Sequence, residues 1–163
     1  MSFSTRGQER SANTKGFGLV EVLIVASVIA ILAAISYQTF FDTNRMQALE
    51  KDRDIVLSTL ERARSLTLSS SGDRQYGVHI ENNRVILFPG NNYDVSDPEN
   101  AVESLNALVT IASSSIKGGG NDIVFERLTG KTLQSGTIGV SLIADPSREY
   151  IIVVHDTGLV EIE

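Results

Sequence analysis

A chain of 163 residues, 42% hydrophobic and 21% charged, suits one globular domain with one additional apolar segment. It contains no cysteine, so an exported domain of this size must be held by its core rather than by disulfides. The net charge of −6 is unevenly placed: residues 1–16 carry Arg6, Arg10 and Lys15 against Glu9, a balance of +2, which leaves −8 on the remainder. Recognition of a polyanion needs clustered Lys and Arg, and Arg127, Lys131 and Arg148 are dispersed in sequence, so nucleic acid is not an expected partner unless the fold brings them together.

Residues 1–16 are polar, rich in Ser, Thr, Arg and Gly, and show no periodicity. They read as a disordered leader. From Phe17 to Tyr37 the chain is apolar with Glu21 as its one charge. At ~1.5 Å per residue a helix over that stretch would reach roughly 30 Å, the hydrocarbon thickness of a bilayer. A basic segment before such a helix stays in the cytoplasm, which predicts an N-in, C-out orientation. A carboxylate inside an apolar helix costs a few kcal/mol, of order 3, unless it is paired, neutralised or held at the interface. Glu21 at headgroup depth, favoured by the helix dipole, is the plain reading. A secretory signal peptide, with cleavage near Ala34-Ile35-Ser36, competes, but the apolar run is long for one and the helical pattern continues past it.

Lys15-Gly16-Phe17, a glutamate at the fifth residue counted from Phe17, and the unbroken apolar run together resemble the class III signal of type IV pilins and type II secretion pseudopilins. That resemblance implies cleavage between Gly16 and Phe17 by a prepilin peptidase, N-methylation of Phe17, and Glu21 as the assembly residue, pairing with the new terminus of a neighbouring subunit. The implied partners are the peptidase, other pilin or pseudopilin subunits and an inner-membrane assembly platform, with no cofactor. The implied location is first the cytoplasmic membrane, then a periplasmic or extracellular filament. Gln38 stands where many pilins carry a helix-kinking proline, and Ala30 where many carry glycine, which leaves the helix without a built-in break.

After Tyr37 the pattern turns amphipathic without a breaker. Met46, Leu49, Val56, Leu60, Ala63 and Thr67 recur at a spacing of three to four, with Glu50, Lys51, Arg53, Asp54, Glu61 and Arg62 on a charged face. One helix of roughly 50 residues is the economical reading, ending at Ser69-Ser70-Ser71-Gly72 with the glycine as cap. The chain is thus divided into a leader (1–16), an apolar half-helix (17–37), an amphipathic half-helix (38–71) and a β-rich domain (72–163).

From Gln75 the period becomes two. Tyr76 to Ile80 and Val85 to Leu87 predict a hairpin turning at Glu81-Asn82-Asn83. Residues 89–107 read as a long surface loop with a short helical turn near Glu99 to Leu105; Leu108 to Ile111 read as a strand and Ser113 to Gly120 as a flexible connection. Strands are predicted at 122–127, 137–143, 150–155 and 159–162, with turns at Leu128-Thr129-Gly130, Asp145-Pro146 and Asp156-Thr157-Gly158. Short connections make the sheet antiparallel. The expected fold class is α+β, a long N-terminal helix packed on an antiparallel β-sheet domain of six or seven strands. The segment LSTLERARSLTLS, then a hairpin, then IVFERLTGKTLQSGTIGV and a strand pair around Thr157-Gly158, is similar to the GspH/FimT kind of minor pilin.

No catalytic constellation stands out. His79 and His155 sit on strand patterns without cysteine partners, the serines lack a Gly-x-Ser-x-Gly elbow, and Gly118-Gly119-Gly120 is not followed by the Lys-Ser/Thr of a phosphate loop. Asp94, Asp97 and Glu99 bunch in one loop without EF-hand spacing and read as solvated acids rather than a calcium site. A filament subunit is the expected function. The alternative is a single-pass, membrane-anchored extracytoplasmic binding module that does not polymerise.

Overall fold

The computed structural model describes residues 18–163, and the side chains of all of these except residues 35–41. Helix α1 spans Leu19–Leu68, 50 residues without a Pro or Gly. By its internal contacts the chain divides into two units between Phe40 and Phe41.

In the second unit, α1 buries one stripe. Leu49, Val56, Leu60 and Ala63 are 1% exposed or less, while Glu50, Lys51, Asp54, Glu61 and Arg62 face solvent. Spacing of three to four puts the apolar residues on one face, and each large one stabilises the fold by about 1.5–3 kcal/mol on burial. Arg53 pairs with Asp54 of the charged face (2.8 Å), and its guanidinium also lies 4.6 Å from the ring centroid of Tyr150.

The helix ends earlier than expected, at Leu68. The Ser70 N–H donates to the Thr67 carbonyl (3.1 Å), and Ser70 itself takes the left-handed conformation, φ 50°. Reversal of handedness, expected at Gly72, therefore begins two residues sooner, and Gly72 lies inside a following 3₁₀ turn, Ser71–Asp73. Thr67 ties this end to the sheet. Its hydroxyl donates to the Ala63 carbonyl (2.9 Å) and accepts the Tyr76 N–H (3.0 Å).

Eight strands follow: β1 Tyr76–Glu81, β2 Arg84–Pro89, β3 Ala101–Ser104, β4 Val109–Ile116, β5 Asp122–Phe125, β6 Gly136–Leu142, β7 Glu149–Val154 and β8 Val160–Ile162. They form two four-stranded antiparallel sheets, ordered β3-β2-β1-β5 and β4-β6-β7-β8. Three expectations are corrected here. The helical turn near Glu99 to Leu105 is instead β3, paired with β2 from Leu87↔Ala101 to Arg84↔Ser104. The flexible connection from Ser113 is strand as far as Ile116, paired with β6 and continuing the strand expected at Leu108 to Ile111 across a bulge between Ile111 and Ser113. One sheet of six or seven strands becomes two sheets of four.

The predicted hairpin forms with Asn82-Asn83 as its two-residue turn. Its tip also carries the connection between the sheets: the Asn82 carbonyl accepts the Ile111 N–H (2.8 Å) and the Asn83 carbonyl accepts the Leu105 N–H (2.9 Å). Val78, Ile80, Val85, Leu87, Ile123 and Phe125 of the first sheet join Ile138, Val140, Ile152 and Val154 of the second in one core with the α1 stripe. On the outer face of the first sheet Phe88 packs over Gly77, where a Cβ would come within 2.6 Å of its ring. At the far side of the domain Gly158 (φ +75°) lets its turn approach the loop after β5, since a Cβ there would lie 1.7 Å from the Gly130 carbonyl oxygen.

Candidate assembly site

The first turn of α1 opens at Gly18, whose carbonyl accepts the N–H groups of Glu21 (2.9 Å) and Val22 (3.3 Å). This places the Glu21 carboxylate at the positive end of the helix dipole. Every residue from Gly18 to Ala34 is exposed, including Leu19 at 76%, Val20 at 67% and Leu32 at 59%. Glu21 heads an apolar groove along one helix face, continued by Val22, Val25, Ala26 and Ile29. Ser27 does not interrupt the apolar surface with an unsatisfied hydroxyl, because its Oγ donates to the Ile24 carbonyl at 2.7 Å. Among the described residues no helix is long and apolar enough to cross a membrane. The expected span of 17–37 lies partly outside them, as do the leader and the processing residues Gly16 and Phe17.

Residues 11–37 match the family model described as the prokaryotic N-terminal methylation motif. The fold is similar to that of the type IV minor pilin FimU of Pseudomonas aeruginosa in two crystal forms. In one, 13% of aligned residues are identical, 72% of this chain and 91% of that chain are covered, and the TM-score is 0.53. In the other the identity is again 13%, the coverage 74% and 89%, and the TM-score 0.54. No curated protein sequence matches the chain. The chain thus carries the methylation motif at its start, and the remainder has the fold seen in that minor pilin. The shared architecture is a long helix on antiparallel sheets.

Three segments singled out in the sequence, 57–69, 123–140 and the turn at Thr157-Gly158, meet in space. The Arg64 Nε–H donates to the Gly130 carbonyl (3.4 Å), Leu68 packs on Gly130, and the Thr132 N–H donates to the Asp156 carbonyl (3.1 Å). The acidic loop residues are each engaged within the chain. Asp94 accepts from the Ser96 N–H and hydroxyl, Asp97 accepts from the Glu99 N–H, and Glu99 pairs with Arg74 at 2.9 Å. The bonds from Ser96 hold the Asp94 carboxyl below its ordinary range. Among the described residues no group of three His, Cys, Asp or Glu could hold a metal ion. Of the scattered cations, Arg127 pairs with Asp73, Arg148 pairs with Asp145 (3.2 Å), and Lys131 is exposed.

His79 lies on β1, with Nδ1 2.5 Å from Asp122 Oδ1 and its ring stacked on Tyr93 at 4.0 Å. His155 lies just beyond β7, with Nε2 2.7 Å from Glu161 Oε1. Two buried polar residues on α1, Asp52 and Thr59, escaped the sequence reading. Asp52 Oδ2 accepts the Asn106 N–H at 2.6 Å. Its position, three after Leu49 and four before Val56, is the signal that could have placed it on the buried stripe.

Proposed function

We propose that the chain is inserted N-in and C-out in the cytoplasmic membrane, cut between Gly16 and Phe17 by a prepilin peptidase, N-methylated, and added by an inner-membrane assembly platform to a type IV pilus or type II secretion-like filament. Its work is assembly rather than turnover, as a minor subunit among other pilins. One observation carries this reading: a methylation motif over residues 11–37 runs into a helix whose apolar side chains from Leu19 to Leu32 are exposed. Such a surface is stable only when lipid or other apolar helices cover it. Moving from membrane to filament exchanges one apolar cover for the other.

Glu21 then sets the register. Cleavage creates an α-amino cation at Phe17, and a neighbour's Glu21 neutralises it inside the apolar bundle, so docking removes two unpaired charges together. Breaking a buried pair by removing one partner costs about 3–5 kcal/mol, a hundredfold or more in the docking equilibrium at roughly 1.4 kcal/mol per tenfold. Mass analysis of the exported protein's N terminus should find methylated Phe17; a chain beginning at Met1, or after Ser36, overturns the processing step. Glu21→Ala should be processed and folded but lost from sheared filaments. Undiminished incorporation would remove Glu21 from this role, and absence of the native chain from filaments would favour the anchored binding module.

A further inference from the structure

A pocket of about 240 Å³ lies between the loop after β2 and the loop joining β4 to β5. The first loop contributes Asn91 and Asn92, and the second contributes Lys117 and Asn121. Among the described residues the side chains of these four make no hydrogen bond or ion pair within the chain. Ile116 and Val124 add an apolar wall.

Two further groups are fixed from behind. Gln134 Oε1 accepts the Val124 N–H (3.4 Å) and the hydroxyl of buried Thr132 (3.2 Å), which orients the amide and leaves its Nε2 as a donor. Asp122 holds the His79 ring through Oδ1, which leaves Oδ2 as an acceptor. His79 is itself clamped by the Tyr93 stack, with its Nε2 3.8 Å from Glu81 Oε1. The connecting glycines 118, 119 and 120 all have positive φ, and a Cβ on any of them would meet nothing within 4 Å. Their backbone beside the pocket is therefore open.

The pocket thus combines amide groups that both donate and accept, one oriented donor and one oriented acceptor, against an apolar wall. Its single ammonium is offset by a single carboxylate, so it has no net charge with which to select an anion. A hydroxyl both donates and accepts, and vicinal hydroxyls match amides and carboxylates two bonds at a time while the C–H face of a sugar ring lies on apolar carbon. We propose that this pocket binds a neutral saccharide, accommodating one sugar unit. The site would let the subunit contact a polysaccharide surface, and it does not depend on whether the chain polymerises.

The test is an amide NMR titration of the unassembled full chain in detergent with methyl glucoside, methyl N-acetylglucosaminide and, separately, inorganic phosphate. At least one sugar at millimolar concentration should shift the amides of residues 117–122 and 134, and phosphate should not. Gln134→Glu keeps the acceptor for Val124 and Thr132 but loses the donor, and exposed Asn121→Ala removes one amide. Each should weaken binding about tenfold, the effect of losing one hydrogen bond of about the usual size, while the rest of the spectrum is unchanged. Lys117→Gln should change affinity less than either. The proposal is overturned if neither sugar moves those amides, if the shifts survive both Gln134→Glu and Asn121→Ala, or if phosphate produces them and Lys117→Gln abolishes them.

Discussion

Two stretches of one helix both carry large apolar side chains and meet opposite fates. From Leu19 to Leu32, ten large apolar side chains are half exposed or more, whereas Leu49, Val56, Leu60 and Ala63 further along α1 are sealed at 1% or less. The difference is one of pattern. Uniformly apolar sequence leaves no polar face to turn toward water, so no single-sided packing could satisfy it; an amphipathic sequence needs only one sheet-lined trough. The first stretch is built for cover supplied by other molecules, the second for cover supplied by its own chain. Covering the first would stabilise an assembled subunit by on the order of 10 kcal/mol.

Matched truncations would break that comparison if it is wrong. Leu60→Ala should destabilise the domain by about 2–5 kcal/mol, read by chemical denaturation, because it leaves a cavity in a sealed core. Leu23→Ala should leave that transition where it is, since Leu23 is 60% exposed, and should instead reduce filament yield or detergent-resistant self-association. Equal effects of the two on domain unfolding would show that the first stretch is covered by its own chain.

Thr67 stands where the amphipathic stretch hands over to the sheet, and the spacing rule counted it with the apolar stripe. It is fully buried, yet its hydroxyl carries two bonds. Thr67→Val preserves the shape and leaves the Tyr76 N–H without its acceptor, so the expected cost is about 1–3 kcal/mol. Amide exchange at Tyr76 should accelerate in that variant more than at Val78, two pairs further into the sheet; equal protection at both would remove Thr67 from this role.

The helix, the hairpin and the last four strands were legible because their periodicity is strong and their turns use Gly, Pro, Asn and Asp. One strand, and the second half of another, were not. Ser113-Ser114-Ser115 has weak strand preference and exposed side chains, and becomes strand because β6 supplies the partner from Ile116↔Gly136 to Ser113↔Gly139. Ala101 to Ser104 reads as helical by composition, yet is drawn to the edge of β2 by the same long-range pairing. The division into two sheets has no local signature at all. A hint did exist in RVILFP, apolar at consecutive positions rather than alternating, which marks a strand covered on both faces: Val85 and Leu87 face the core, while Phe88 lies beside Tyr93 on the other side. At the candidate assembly site the residue spacing around Glu21 was readable from sequence. The saccharide pocket was not, because Asn91, Asn121 and Gln134 come from separate loops that only the fold brings together.

The smallest expected effect concerns the carboxylate hidden on the amphipathic stretch. Burial raises the Asp52 carboxyl above its ordinary value of 3.8, against the lowering effects of the Asn106 N–H and Lys51. The folded chain therefore holds this proton more tightly than the unfolded chain does. Its contribution to stability is fullest below pH 3.8 and declines as pH rises from there through the raised folded value, then stays level. Glu81 has the opposite sign: bonding to Arg84 lowers it, so its contribution is lost as pH falls. The overall acid profile mixes the two, and the difference between native protein and Asp52→Asn isolates the first. Asparagine keeps an acceptor for Asn106 and carries no charge to desolvate, so the variant should gain on the native protein as pH rises from about 4 toward neutrality, the window set by an ordinary Asp. A variant that loses ground over that range would mean that the charged form of Asp52, through its bond to Asn106, is what the fold prefers.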